Sequence, residues 1–218
     1  MKTDPELIYR YLNMRIPVSE GDISKIRGAC ETMERALMPG SVFRIFPLII
    51  TEDEFRLGEN GPVLSGQSVK KMLKGCQGVA VLTVTLGFSF EKMLNAAQKR
   101  DMAEAVILDA CASAYIETVA DEAEKEIAAR TGGFLTDRFS PGYGDLPLSL
   151  QRELIRLTDA EKRLGVHVLD SFLLEPVKTV TALIGIADTP RPALIRGCAR
   201  CSMNKTCAFK KGADCCEA

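Results

Sequence analysis

The stretch "HVLDSFLLEPVKTVTALIGIA", residues 167–187, decides the fold class. It divides around Val177 into two apolar runs rich in branched residues, 167–176 and 178–187, and each reads as a strand. A connection that short cannot hold the crossover that a parallel pair needs, so the sheet is read as mainly antiparallel. Upstream, "GVAVLTVTLG" (78–87) is the clearest strand of the chain, and "VFRIFPLII" (42–50) is another. Pro47 cannot donate to a ladder and places an edge or a bulge within that second strand.

Helical patterns surround these strands. Residues 4–14 and 20–37 are amphipathic, the second with Ile23, Ile26, Cys30, Met33 and Leu37 on one stripe before Pro39-Gly40 stops it. Ser65–Leu73 reads as a helix. Two more follow Phe90, the longer running from about Asp101 to Arg130, where Asp101 and Glu104 have capping-box spacing. Its alanines permit close approach of neighbours, and "ADEAEKEIAAR" gives its far half a solvated charged face. Leu148–Leu157 and Thr158–Leu164 complete the set, with Thr158 and Glu161 as a second capping box. Helices segregated around a mainly antiparallel sheet make an α+β fold, not the regular alternation of a dinucleotide-binding domain. No GxGxxG or Walker loop is present.

A chain of 218 residues, 46% apolar and 26% charged with a formal charge of −1, suits one substantial core. That charge carries no nucleic-acid footprint and no polybasic membrane anchor. The start lacks the regions of a signal peptide, and the longest apolar run, roughly Gly78 to Phe90, is too short to span a bilayer. A cytoplasmic location is the expectation.

Between the long helix and the strands at the end lies "DRFSPGYGDLP", Asp137 to Pro147. Ser140-Pro141-Gly142-Tyr143 has type II turn chemistry, proline presetting φ and glycine accepting a positive φ. Such a turn leaves backbone groups free for a polar ligand, Tyr143 offers a ring face, and Arg138 can clamp a carboxylate. The same residues also fit a rigid connector whose arginine pairs with a surface carboxylate.

Arg138-x-Ser-Pro-Gly-Tyr143, then a helix, then "LGVHVLDSFLLEP" and "KTVTALIGI", resembles the activation domain of cobalamin-dependent methionine synthase, in particular its free-standing versions. The resemblance covers roughly residues 100–187. It implies a twisted antiparallel sheet flanked by helices that binds S-adenosylmethionine for the reductive methylation of cob(II)alamin. It implies that Arg138 holds the ligand's carboxylate. Ser140, Pro141, Gly142 and Tyr143 would line the adenosyl and methionyl groups, and Glu117 would be the acidic residue facing them from the long helix. The partners implied are a cobalamin-bearing methionine synthase or another corrinoid protein, and an electron donor protein. Cobalamin would belong to the partner, because the only histidine, His167, has no D-x-H-x-x-G context. His167 reads as a structural or surface residue, and no turnover is expected of the chain alone. The sequence departs from the family at Ile184-Gly185, where an aromatic pair is expected, and at Gly144-Asp145, where a proline follows the tyrosine. Asp145 could contact a ligand amine or cap a helix.

The last 21 residues hold five of the eight cysteines. Cys198 and Cys201 form C-x-x-C, with Cys207 and then Cys215 or Cys216 able to complete four thiolate ligands for zinc or an iron–sulfur cluster. A redox-active dithiol or free thiols are the other readings of this tail. Cys30, Cys76 and Cys111 read as small buried hydrophobes. The expected organisation is an α+β domain over 1–190 and a cysteine-rich tail over 191–218. A metal or iron–sulfur redox protein on this fold, or a non-catalytic subunit of a synthase, is the alternative function.

Overall fold

The computed structural model describes residues 3–14, 18–51 and 54–191. The order is α1 (Pro5–Tyr11), α2 (Glu20–Ala36), β1 (Gly40–Ile50), β2 (Phe55–Leu57), α3 (Gln67–Leu73), β3 (Gly78–Thr85), α4 (Phe88–Arg100) and α5 (Met102–Thr131). Then come β4 (Phe134–Leu135), a 3-10 turn at Leu148–Leu150, α6 (Gln151–Thr158), α7 (Ala160–Leu164), β5 (His167–Val168), β6 (Leu174–Glu175) and β7 (Thr179–Ala187). One five-stranded sheet runs β2-β1-β3-β7-β4 with every pair antiparallel, so the fold is α+β as the strand patterns predict.

Alternation along β3 divides the core in two. Ala80, Leu82 and Val84 face the cluster built by α2, α4 and α5, while Val79 and Val81 face the cluster around α3 and α6. The central strands are apolar on both sides because helices cover both sides. The second face also buries threonines, each with a partner: Thr83 meets the Thr158 hydroxyl at 3.1 Å, and Thr181 donates to Gln151. Pro47 is the last β1 residue paired with β3, and β2 takes over from Leu48, so the proline marks a change of partner.

The opening stretch needs correction. Residues 167–176 are not one strand beside 178–187. They form a small hairpin, β5–β6, in a sheet of its own, and β7 pairs with β3 and β4 instead. Asp170-Ser171 turns the chain, Phe172 takes φ 64°, and Leu169 and Leu173 close the loop through a 2.9 Å bond. The flanking leucines hid that turn.

Both capping boxes are also altered. Asp101 caps α5 by accepting from Ala103 N at 2.8 Å, but its own N–H goes to Ala97 and Glu104 pairs with Arg100. Thr158 ends α6, fully buried, with its hydroxyl on the Leu154 carbonyl, and Glu161 lies beside His167. Asp159 precedes α7 instead.

Candidate functional site

The segment after β4 keeps running along β7. Thr136 N donates to the Gly185 carbonyl, and Phe139 exchanges two 2.9 Å bonds with Leu183. Phe139 buries itself in the cluster around α3 and α6. Extended backbone alternates its side chains, so Arg138, one residue earlier, turns to the opposite face and meets α5.

There it is gripped by three carboxylates. Nη2 lies 2.6 Å from Glu117 Oε2, and Nη1 lies 2.7 Å from Asp121 Oδ1 and 3.0 Å from Glu124 Oε1. The guanidinium side chain is 9% exposed, against 38%, 51% and 18% for its partners. Burial works against its charge most strongly, yet the carboxylates outweigh burial and raise its pKa. One cation against three anions leaves a formal surplus of two negative charges. Tyr11, at the end of α1, adjoins the group: burial, then the Glu117 carboxylate, raise its hydroxyl pKa, with Arg10 and Arg138 opposing.

Spacing explains the trio. Residues 117, 121 and 124 stand at i, i+4 and i+7 and share one face of a helix. Glu117 is the acid that the family resemblance implies here; Asp121, Glu124 and Tyr11 are not anticipated, although the 4-3 spacing of acids is readable. The pairing that the connector reading anticipates is thus present, with three carboxylates in place of one. One turn before Glu117 the α5 face borders a cavity of about 320 Å³, which also touches Tyr11. At its edge Lys178 Nζ donates to Ser113 Oγ at 2.7 Å and pairs with Asp109 at 3.0 Å. The lysine is thus shared between a hydroxyl and a carboxylate.

The turn has the predicted geometry. Tyr143 N donates to the Ser140 carbonyl at 3.1 Å, and Gly142 has φ 85°. Its backbone is less open than the turn chemistry suggests, because Gly142 N is bonded to the Leu146 carbonyl and Leu146 N to that of Tyr143. Pro141 is buried, whereas Tyr143 is 57% exposed, packed edge-on to Phe139 at 5.7 Å. Tyr143 is thus the large side chain that the turn leaves exposed.

Asp145 is a helix cap. Its carboxylate accepts from Gln67 N and Ser68 N at the start of α3, where Gly66 offers no side chain. Those N–H groups hold its pKa below the usual carboxylate range. Ile184 is fully buried, and a Cβ at Gly185 would lie 2.7 Å from Cys76 Sγ, so neither position offers a ring to a ligand. His167 lies beside Glu161 at 3.2 Å, both half-exposed or more. Cys76 and Cys111 are buried and Cys30 half-buried.

Cys198, Cys201, Cys207, Cys215 and Cys216 lie outside the described residues. Among the described residues no group of three or more His, Cys, Asp or Glu side chains is arranged to hold a metal ion. Among the same residues no helix is long and apolar enough to cross a membrane.

Comparison with known protein families gives no match. Comparison with curated proteins gives none either. Among solved structures, the crystal structure of the MetH reactivation domain bound to AdoHcy aligns with a TM-score of 0.67 at 14% identity, over 87% of this chain and 75% of that one. With its antiparallel sheet, long α5 and Pro-Gly turn in place, this chain has a methionine synthase activation domain-like fold.

Proposed function

We propose that the protein binds S-adenosylmethionine at the Arg138 cluster and presents its methyl group to the cobalt of a corrinoid-bearing partner. The partner is a cobalamin-dependent methionine synthase or a related corrinoid methyltransferase. One observation carries the reading: Arg138 stands before a Pro-Gly turn, beneath an acidic helix face, in the fold of a reactivation domain solved with AdoHcy.

The charges are complementary. The ligand brings one carboxylate and two cations, an ammonium and a sulfonium; the site holds one cation and three carboxylates. On binding, the ligand's carboxylate takes the place of Asp121 or Glu117, the more exposed partners, on the guanidinium. The displaced carboxylates then face the ammonium and the sulfonium. Tyr143 lines the open side of the turn.

The partner's cob(II)alamin would first need one electron from an external donor to reach the cobalt(I) level. A corrinoid held by the partner would supply the cobalt nucleophile, and this chain would hold the sulfonium methyl group toward it through the contacts at Arg138 and Tyr143, leaving S-adenosylhomocysteine as the product on this side. No general base is needed, because the methyl carbon is already electrophilic; the protein orients the two reactants and excludes water.

Calorimetric titration tests the binding. Arg138→Ala should weaken it about tenfold to a hundredfold, the worth of a charge-assisted contact, and Arg138→Lys should recover little. Equal affinity in wild type and folded Arg138→Ala would remove Arg138 from the site. Mixing the protein, S-adenosylmethionine, a strong reductant and cob(II)alamin-loaded synthase should give the methylcobalamin spectrum. Each component should be required.

A further inference from the structure

On the seam between α2 and α5, away from the Arg138 cluster, two thiols meet. Cys111 is fully buried on α5, and its Sγ lies 3.9 Å from the carbonyl oxygen of Ile26 on α2. Cys30 stands one turn beyond Ile26 on the same helix and is half-buried. Helical side chains lean back over the preceding turn, so the Cys30 side chain and the Cys111 sulfur approach the same stretch of α2 around Ile26. Cys30 is the more exposed of the two residues, and Cys111 lies deeper in the seam.

We propose that Cys30 and Cys111 form a reversible disulfide that locks α2 to α5 when the protein meets a small-molecule disulfide such as oxidised glutathione. Cys30 is the attacking group. Its sulfur bonds to one sulfur of the oxidant, the oxidant's S–S bond breaks, and one small thiol leaves. Cys111 then gives up its proton to that departing thiolate and attacks Cys30 Sγ, releasing the second small thiol. Two protein thiols are oxidised, one small disulfide is reduced to two thiols, and no other reactant is needed.

The order of attack follows from the surroundings. The neighbouring Cys111 thiol lowers the Cys30 pKa, against burial and the Glu34 and Glu31 carboxylates. Its contact with Cys30, then burial, raises that of Cys111, so Cys30 is the readier of the two to ionise. A thiolate that is both favoured and reachable is the usual site of exchange.

The test uses the full chain, reduced and then equilibrated with glutathione buffers of rising oxidised fraction. Free thiols are alkylated and peptides mapped by mass spectrometry. The expected product is a Cys30–Cys111 linked peptide that disappears on adding dithiothreitol. Cys111→Ser should instead accumulate one glutathione on Cys30, and Cys30→Ser should leave Cys111 unmodified. If Cys111→Ser does not fold, Cys30→Ser and the wild-type map still decide. The proposal is overturned if wild type keeps a glutathione adduct or a free thiol at Cys30, or links Cys30 to another cysteine.

Discussion

Removing the Arg138 guanidinium would leave Glu117, Asp121 and Glu124 as three carboxylates within two turns of one helix. All three are partly open to water, so solvent screens much of their repulsion. The arginine is not so open, and its loss removes charge-assisted bonds from a nearly buried group. Arg138→Ala should cost about 1–3 kcal/mol of stability, in addition to any loss of binding. For a domain of this size that is a fall in Tm of about 2–12 °C. Adding Glu124→Gln, at the least exposed of the trio, should restore part of it. Thermal melts of the two variants decide, and an unchanged Tm in Arg138→Ala would show that the cluster does not support the fold. Asp145 gives a pH prediction. Its folded pKa is lowered, so its contribution is present above the unfolded value and is lost as pH falls through the folded one. The Tm gap between wild type and Asp145→Asn should be constant above about pH 5 and narrow steadily below about pH 4. A gap that persists into strong acid would mean the cap acts through its shape and not its charge.

Local chemistry explains which elements are readable in advance. The Ser140–Tyr143 turn is legible because proline and glycine set their own torsions, and β3 is legible because both its faces are apolar. The β5–β6 hairpin is not, because Leu169, Phe172, Leu173 and Leu174 mask the two polar residues at its bend. The acidic trio lies between these cases. Its spacing is in the sequence, but only the rotation of α5 against the sheet decides that this face meets Arg138. The clasp between the turn and α3 is hidden for the same reason, since Asp145 caps a helix 77 residues earlier in the chain. That clasp leads to a test at the level of elements. Gly66 has φ 112°, and a Cβ there would lie 2.9 Å from the Asp145 carbonyl oxygen and carboxylate. Gly66→Ala should therefore destabilise by about 1–3 kcal/mol through backbone strain. Hydrogen exchange should rise together in α3 and the 140–147 loop. Faster exchange in α3 alone would show that the two elements are not coupled.

At the scale of the whole molecule, the sheet's contribution to the core ends with β7, and the described residues around and after its end hold to the α3–β3 connection. Gln77 N donates to the Ile186 carbonyl at 3.0 Å, and the Gln77 side chain donates to Asp188. Arg191 then reaches back to the Lys74 carbonyl and lies over Gly75, whose φ of 78° favours glycine and where a Cβ would press on the guanidinium. Beside it, burial raises the Cys76 pKa while Arg191 opposes the shift. These contacts make two truncations informative. A fragment ending at 191 should keep the full Tm, because it retains every described contact of the core. One ending at 190 should melt slightly lower, by the worth of one exposed arginine contact, about 0.5–1.5 kcal/mol. Both should lose any zinc or iron that the anaerobically prepared full chain carries through Cys198, Cys201, Cys207 and one of Cys215 or Cys216. Elemental analysis and melting curves on the three proteins settle the division. If the fragment ending at 191 fails to fold, the cysteine-rich segment is part of the domain; if the full chain carries no stoichiometric metal, its thiols serve another purpose.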